Sequence, residues 1–190
     1  MKKQLLLIIL FLLYSPLNAQ VSVLIVYHSE TGSTEQMARA VYEGASSVVG
    51  VDVVLLQSSK TTTEDLLKAD AIVVGSPVYN ANVTPEISRF IASWPFEGEP
   101  LKDKIGAAFV TAGGISAGEE IVQMNILQSM MVFGMVVVGG AEWTQPFGAS
   151  AITGEEPFSD SSILGIAPQF EEKGKALGER VAQITLKFHK

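Results

Sequence analysis

Between Tyr27 and Glu35 the chain reads His28-Ser29-Glu30-Thr31-Gly32-Ser33-Thr34, four hydroxyl side chains around one glycine. An apolar, β-rich run precedes this loop and an amphipathic stretch follows it. At such a strand-to-helix turn the first helical N–H groups lack intrahelical partners, and together with the helix dipole they attract an anion. Ser29, Thr31, Ser33 and Thr34 add uncharged donors, and Gly32 permits an unusual backbone turn. No lysine follows in the G-x-x-x-x-G-K-[ST] pattern, so the loop is not a triphosphate-binding P-loop. No G-x-G-x-x-G follows this strand, which argues against a dinucleotide fold. The chemistry that remains is capture of a terminal phosphate by neutral donors.

Two further loops have matching character. Gly75-Ser76-Pro77-Val78-Tyr79-Asn80-Ala81-Asn82 is stiffened by Pro77 and offers the flat Tyr79 ring to a planar ligand, with Asn80 and Asn82 able to read polar ring edges. Thr111-Ala112-Gly113-Gly114-Ile115-Ser116-Ala117-Gly118 is glycine-rich, so its backbone can approach a ligand closely and donate from its N–H groups. Either loop alone reads as an ordinary connection. Three such loops at one end of one sheet describe a phosphate pocket beside a flat heterocycle.

A rival pattern lies inside the third loop. Gly114-Ile115-Ser116-Ala117-Gly118 spells G-x-S-x-G, and Asp160 and His189 follow in the Ser, Asp, His order of an α/β-hydrolase triad. A secreted serine hydrolase using Ser116 is therefore a competing expectation. Against it, Ala112 and Gly113 separate the motif from its strand, and His189 is the penultimate residue.

The elements that must position these loops alternate. Strands are expected at Val21–Tyr27, Val51–Leu56, Ala71–Val74, Ile105–Thr111 and Met135–Val138. Helices are expected at Glu35–Val49, Thr63–Lys68, Thr84–Ser93, Glu119–Met131 and from Pro168 to about Lys187. Thr84-Pro85-Glu86 is a helix start, with threonine capping and proline in the first turn. Gly140–Gly165 reads as irregular. Near-continuous apolar strands alternating with helices predict an α/β three-layer sandwich around a parallel sheet. Five strands in a chain of this size favour the order 2-1-3-4-5, with ligands outside the carboxyl ends of the strands.

Composition narrows the classes. The 190 residues are 47% hydrophobic and 17% charged, with a formal net charge of -7, which fits one folded domain and gives no nucleic-acid footprint. There is no cysteine, and His28 and His189 are the only histidines, so no metal site is expected. Lys2 and Lys3 precede the unbroken apolar run Leu5–Leu13, which Ser15-Pro16-Leu17-Asn18-Ala19 then breaks. The run is shorter than the roughly 18 residues of a membrane-spanning helix, which makes residues 1–19 a signal peptide and 20–190 the domain. Export to the periplasm or the cell exterior follows. The alternative is an uncleaved N-terminus that anchors the protein to a membrane.

Ser29-Glu30-Thr31-Gly32-Ser33-Thr34 resembles the phosphate loop of the flavodoxin superfamily, [ST]-x-T-G-x-T. Within that superfamily the chain is similar to the WrbA-type NAD(P)H:quinone oxidoreductases. The matching stretches are Met37-Ala38-Arg39-Ala40-Val41, Gly75-Ser76-Pro77 with Asn82, Gly134-Met135-Val136-Val137-Val138 and Phe147-Gly148-Ala149-Ser150. The resemblance implies a flavodoxin-like fold and bound FMN, with phosphate at Ser29, Thr31, Gly32, Ser33 and Thr34. It implies flavin-ring contacts from Pro77, Val78, Tyr79, Asn80 and Asn82 and from Thr111, Ala112, Gly113 and Gly114. It further implies hydride transfer from NADH or NADPH, a quinone or similar small acceptor, and a dimer or tetramer. A flavodoxin-type electron carrier without nicotinamide activity is the alternative, and the long Gly140–Gly165 segment favours the enzyme. The chain departs from that family in two places. Tyr79 and Asn80 stand where Arg and Phe are usual. Val132 and Phe133 replace a histidine pair expected near the flavin, which implies a more apolar acceptor side.

Overall fold

The structure is a computed structural model, which describes residues 20–159 and 165–189. The signal-peptide expectation at 1–19 lies outside the described residues.

Six strands form one sheet: β1 (Val21–Tyr27), β2 (Val51–Gln57), β3 (Ala71–Pro77), β4 (Ile105–Ala112), β5 (Val136–Val137) and β6 (Ala149–Ile152). The order is β2-β1-β3-β4-β5, with β6 also paired to β4, and every pairing is parallel. Among the described residues five helices flank the sheet: α1 (Ser33–Ser46), α2 (Thr63–Lys68), α3 (Pro85–Ala92), α4 (Glu119–Val132) and, after the last strand, α5 (Pro168–Phe188). A single 3-10 turn, Ser58–Lys60, follows β2.

β1, β3 and β4 are buried almost throughout, because both sheet faces are covered. On one face Val23, Ile25, Val73 and Phe109 pack against Met37 and Val41 of α1 and Leu177 and Val181 of α5. On the other, Leu24, Val26, Ile72 and Val74 meet Leu66 of α2, Ile87 and Phe90 of α3, and Ile126 and Met130 of α4. Alternating strand side chains therefore feed two separate cores, which is the three-layer arrangement expected from the alternating elements.

The fifth strand position differs in detail from the expectation. β5 pairs only Val136 and Val137 with Ile105 and Gly106, at the amino end of β4. The carboxyl half of β4, Phe109–Ala112, is covered instead by β6, which lies in the stretch read as irregular. Ala149-Ser150-Ala151-Ile152 is too short and too small-sided to announce itself as a strand. Its pairing comes from the open edge of β4.

Local caps fix the helix starts on the second face. Thr62 and Asp65 form a reciprocal capping box at α2, and the Thr84 hydroxyl accepts from the Ile87 N–H at α3.

Candidate functional site

β1, β3 and β4 end at Tyr27, Pro77 and Ala112, so the three loops singled out in the sequence leave the same edge of the sheet. The first loop enters α1 through Gly32, whose φ of 97° lies in the left-handed region. The Ser29 hydroxyl accepts from the Gly32 N–H at 3.1 Å and sets this turn. No side chain caps α1. α2 and α3 carry threonine caps, so their first-turn donors are partly answered, whereas the first turn of α1, like those of α4 and α5, has no side-chain cap. A Cβ built on Gly32 would meet nothing within 4 Å, so open space stands beside this turn.

Thr34 plays a different part from the one its hydroxyl suggests. Its side chain is buried and lies 2.7 Å from the equally buried Thr111 hydroxyl at the end of β4. The first loop is thereby joined to the third, and Thr34 faces the pocket through its backbone rather than its hydroxyl. Thr31 is exposed and Ser33 half-buried, both beside the open turn.

The second loop is a tight hairpin. Tyr79 and Asn82 exchange backbone hydrogen bonds of 3.0 and 2.9 Å, and Asn80 and Ala81 both take positive φ between them. The Asn82 amide donates to the Asn80 carbonyl, so it holds the turn. Asn80 is exposed at the tip. Pro77 ends β3, and the Val78 N–H donates to the Thr111 carbonyl at 2.8 Å, fixing the second loop to the third. The half-exposed Tyr79 ring is oriented by its hydroxyl, which donates to Glu30 at 2.8 Å. That hydrogen bond, ahead of partial burial, raises the tyrosine above its ordinary pKa.

In the third loop the Ala112 side chain is buried in the core, so only its backbone can serve a ligand. Gly113 is exposed, with nothing within 4 Å of a built Cβ. The loop is held from outside: Gly154 donates to the Gly113 carbonyl, Thr153 to the Ala112 carbonyl, and the Ile115 N–H donates to Glu155 at 2.6 Å.

Glu30, Glu155 and Thr153 were missed as site-forming residues. Glu30 was visible beside the hydroxyls. Glu155 lies forty residues from its partner and carries no local signal. His28 also belongs here: its buried Nε2 sits 3.7 Å from Glu30 and 3.6 Å from Glu86, the latter in the first turn of α3. Glu86 is held below the usual carboxylate range, chiefly by its own backbone N–H.

Two expectations are corrected. Val132 and Phe133 do not face the three loops of their own chain. They close the C-terminal end of α4, beside Phe96 and Lys102 at the opposite edge of the sheet. A helix that leaves the carboxyl edge of β4 must return to the amino edge, so residues just before β5 end far from the pocket. The hydrolase triad fails for the same reason. Ser116 has a strained φ of 58° at the carboxyl edge, whereas His189 follows α5 at the amino edge, 3.6 Å from Asp70. About 25 Å of β4 separates those edges, at ~3.3 Å per residue. Asp160 lies outside the described residues.

The residues present fit FMN. The uncapped first turn of α1 beside the open Gly32 suits its phosphate, and the half-exposed Tyr79 ring and the open Gly113 backbone, on neighbouring loops, suit its flat ring.

Comparison with known proteins agrees with this geometry. Residues 56–150 match the family described as NADPH-dependent FMN reductase. The chain is 35% identical over 171 residues to a flavodoxin of Aquifex aeolicus, covering 85% of each chain. It is 27% identical over 201 residues to an NAD(P)H dehydrogenase (quinone) of Geotalea daltonii, covering 87% of this chain and 97% of that one. In fold it is similar to a flavodoxin, WrbA-like protein from Agrobacterium tumefaciens, with a TM-score of 0.72 at 21% identity, covering 88% of this chain and 99% of the other.

Proposed function

We infer the function from one premise: the chain belongs to the flavodoxin superfamily. It is an FMN-binding oxidoreductase, and we propose that it moves electrons from NADH or NADPH to a quinone-like acceptor. The observation that carries the reading is the uncapped first turn of α1, open at Gly32 and bound to the other two loops through Thr34–Thr111 and Glu30–Tyr79.

In this reading the backbone of Gly32–Glu35 and the hydroxyls of Thr31 and Ser33 hold the phosphate. Tyr79, with Pro77, Val78 and Asn80 beside it, forms one wall for the ring. The Gly113 and Gly114 backbone would line the other side and offer N–H donors that could stabilise negative charge at the ring edge. Bound there, the isoalloxazine would supply the two-electron redox chemistry that links the nicotinamide to the acceptor. The chain's own task is placement. Glu30 fixes the tilt of Tyr79, and Glu155 and Thr153 keep the glycine loop from closing over the pocket. No side chain needs to act as acid or base.

Likeness to a quinone dehydrogenase supports the enzyme reading, and likeness to a flavodoxin supports a second one, an electron carrier without nicotinamide activity. Anaerobic absorption spectroscopy of the FMN-loaded protein separates them. Bleaching of the flavin by NADH or NADPH, followed by recovery with a quinone, is expected. A flavin that stays oxidised under excess of both nucleotides, yet is reduced readily by dithionite, assigns the carrier role instead. For the cell, the proposal stands that the protein is exported or held at a membrane by its N-terminal segment.

A further inference from the structure

The edge of the sheet opposite the flavin loops carries exposed apolar side chains from five different elements. Val49, 94% exposed, sits in the turn before β2, and Leu67 in the last turn of α2. Phe96, 62% exposed, follows α3; Met131 and Val132, the latter 69% exposed, end α4; Phe188 ends α5.

Backbone and side-chain contacts tie their neighbourhoods together along this edge. Val21 donates to the Gly50 carbonyl beside Val49. Ser22 and Asp70 exchange hydrogen bonds, and His189, next to Phe188, lies 3.6 Å from Asp70. Lys104 donates to the Leu67 carbonyl, and Val136 donates to the Lys104 carbonyl. Phe96 then stacks edge-on against Phe133, beside Val132. Lys68, Lys102, Lys104 and Lys187 at this edge offset Asp52, Asp70, Glu97, Glu99 and Asp103, so the edge is close to neutral. The loop edge holds Glu30, Glu35, Glu86, Glu119, Glu120 and Glu155, of which Glu35 and Glu86 are paired with Arg39 and Arg89.

β1 begins at Val21 on this same edge, beside β2, and the sequence before it holds Lys2, Lys3 and the apolar run Leu5–Leu13. Such a run partitions into a bilayer but is short for crossing one. With the run retained, Tyr14–Gln20 is too short a tether to let the body turn far from the lipid, since seven residues reach at most about 25 Å.

We propose that this apolar edge is a lipid-docking face, which lies on a bilayer surface beside the inserted Leu5–Leu13 run. Phe96, Val132 and Phe188 enter the headgroup region as interfacial side chains do. The flavin loops then point into the aqueous phase, about one strand length from the membrane, open to soluble donors and acceptors. The proposal does not depend on the FMN reading.

The chain contains no cysteine, so single labels are clean. Full-length Phe96→Cys, Val132→Cys and Ile121→Cys variants would each carry a thiol-attached fluorophore. All three positions are exposed, and Ile121 starts the helix that Val132 ends, roughly 16 Å away at 1.5 Å per residue. The labelled chains are bound to phosphatidylcholine vesicles containing a nitroxide-labelled lipid. Probes at 96 and 132 should be quenched several-fold more than the probe at 121. Equal quenching at all three positions overturns the proposal, as does failure of the chain to bind the vesicles. So does shielding of 96 and 132 from aqueous iodide without lipid, which would mean that a second copy or the chain's own N-terminal segment covers the face.

Discussion

The hydroxyl of Thr34, in the first turn of α1, lies 2.7 Å from the hydroxyl of Thr111, at the carboxyl end of β4, and both are buried. These residues are 77 positions apart in the chain. Their bond crosses from the loop after β1 to the loop after β4, so each of these loops is positioned by the other. Thr111→Val keeps the shape but leaves the Thr34 hydroxyl buried without its partner, which costs about 1–3 kcal/mol. Thermal unfolding should show the loss, and FMN affinity should fall with it. The double variant Thr34→Val/Thr111→Val should cost less than the sum of the singles, because no orphaned hydroxyl remains.

Tyr79 and Glu30 form the second link between loops. The Glu30 hydrogen bond favours the neutral phenol, so Tyr79 titrates above its ordinary value of 10.0. A raised folded-state pKa means that this contribution is fully present below the unfolded value and is lost as pH rises through the folded one. Glu30→Ala, which removes the acceptor, should move the Tyr79 titration back toward 10.0, read from tyrosinate absorbance. It should also free the ring, giving weaker FMN binding near neutral pH. An unchanged titration would show that Glu30 does not hold the phenol in solution.

The strands and the three loops were legible because burial on both faces writes continuous apolar runs such as Val23–Tyr27 and Ala71–Val74. The parallel topology then sends every strand-to-helix loop to one edge. What could not be read were relationships set by chain return. Ser29, Thr31 and Thr34 all look like donors, yet only tertiary packing turns Thr34 inward onto Thr111. Val132 and Phe133 precede a segment that matches a familiar family stretch, but the helix carries them to the far edge. Strand β6 has no pattern of its own, since its place is defined by the unpaired half of β4. Glu155 reaches Ile115 across forty residues, a separation over which composition and spacing carry no information.

The contact between α1 and α5 depends on two glycines. A Cβ on Gly178 would stand 1.9 Å from the Val41 carbonyl oxygen, and one on Gly44 would stand 1.9 Å from that of Lys175. The intruded atoms are backbone, so only a shift of one helix relieves the clash. Gly178→Ala should destabilise the fold by about 1–3 kcal/mol despite the better helix propensity of alanine. Urea unfolding with circular dichroism reads the change. Gly98→Ala, where a Cβ meets nothing within 4 Å, offers a comparison in which only the backbone conformation is at stake.

Gly32 tests the pocket itself. Its φ of 97° is open to glycine and strained for a side chain, while the space around its Cβ position is empty. Steric exclusion is therefore not the problem that a substitution creates within the protein; backbone conformation is. Gly32→Val should strain the left-handed turn by about 1–2 kcal/mol or relax it, and it places a branched side chain where the phosphate is expected. Gly32→Asn should be milder, because asparagine tolerates this region of backbone space. If the first loop holds the phosphate, both variants should weaken FMN binding much more than riboflavin binding, with valine the more severe. Fluorescence titration of wild type and variants with both flavins measures this directly. Wild-type protein that binds FMN no more tightly than riboflavin would remove the phosphate from Ser29–Thr34, and with it the placement of the ring against Tyr79.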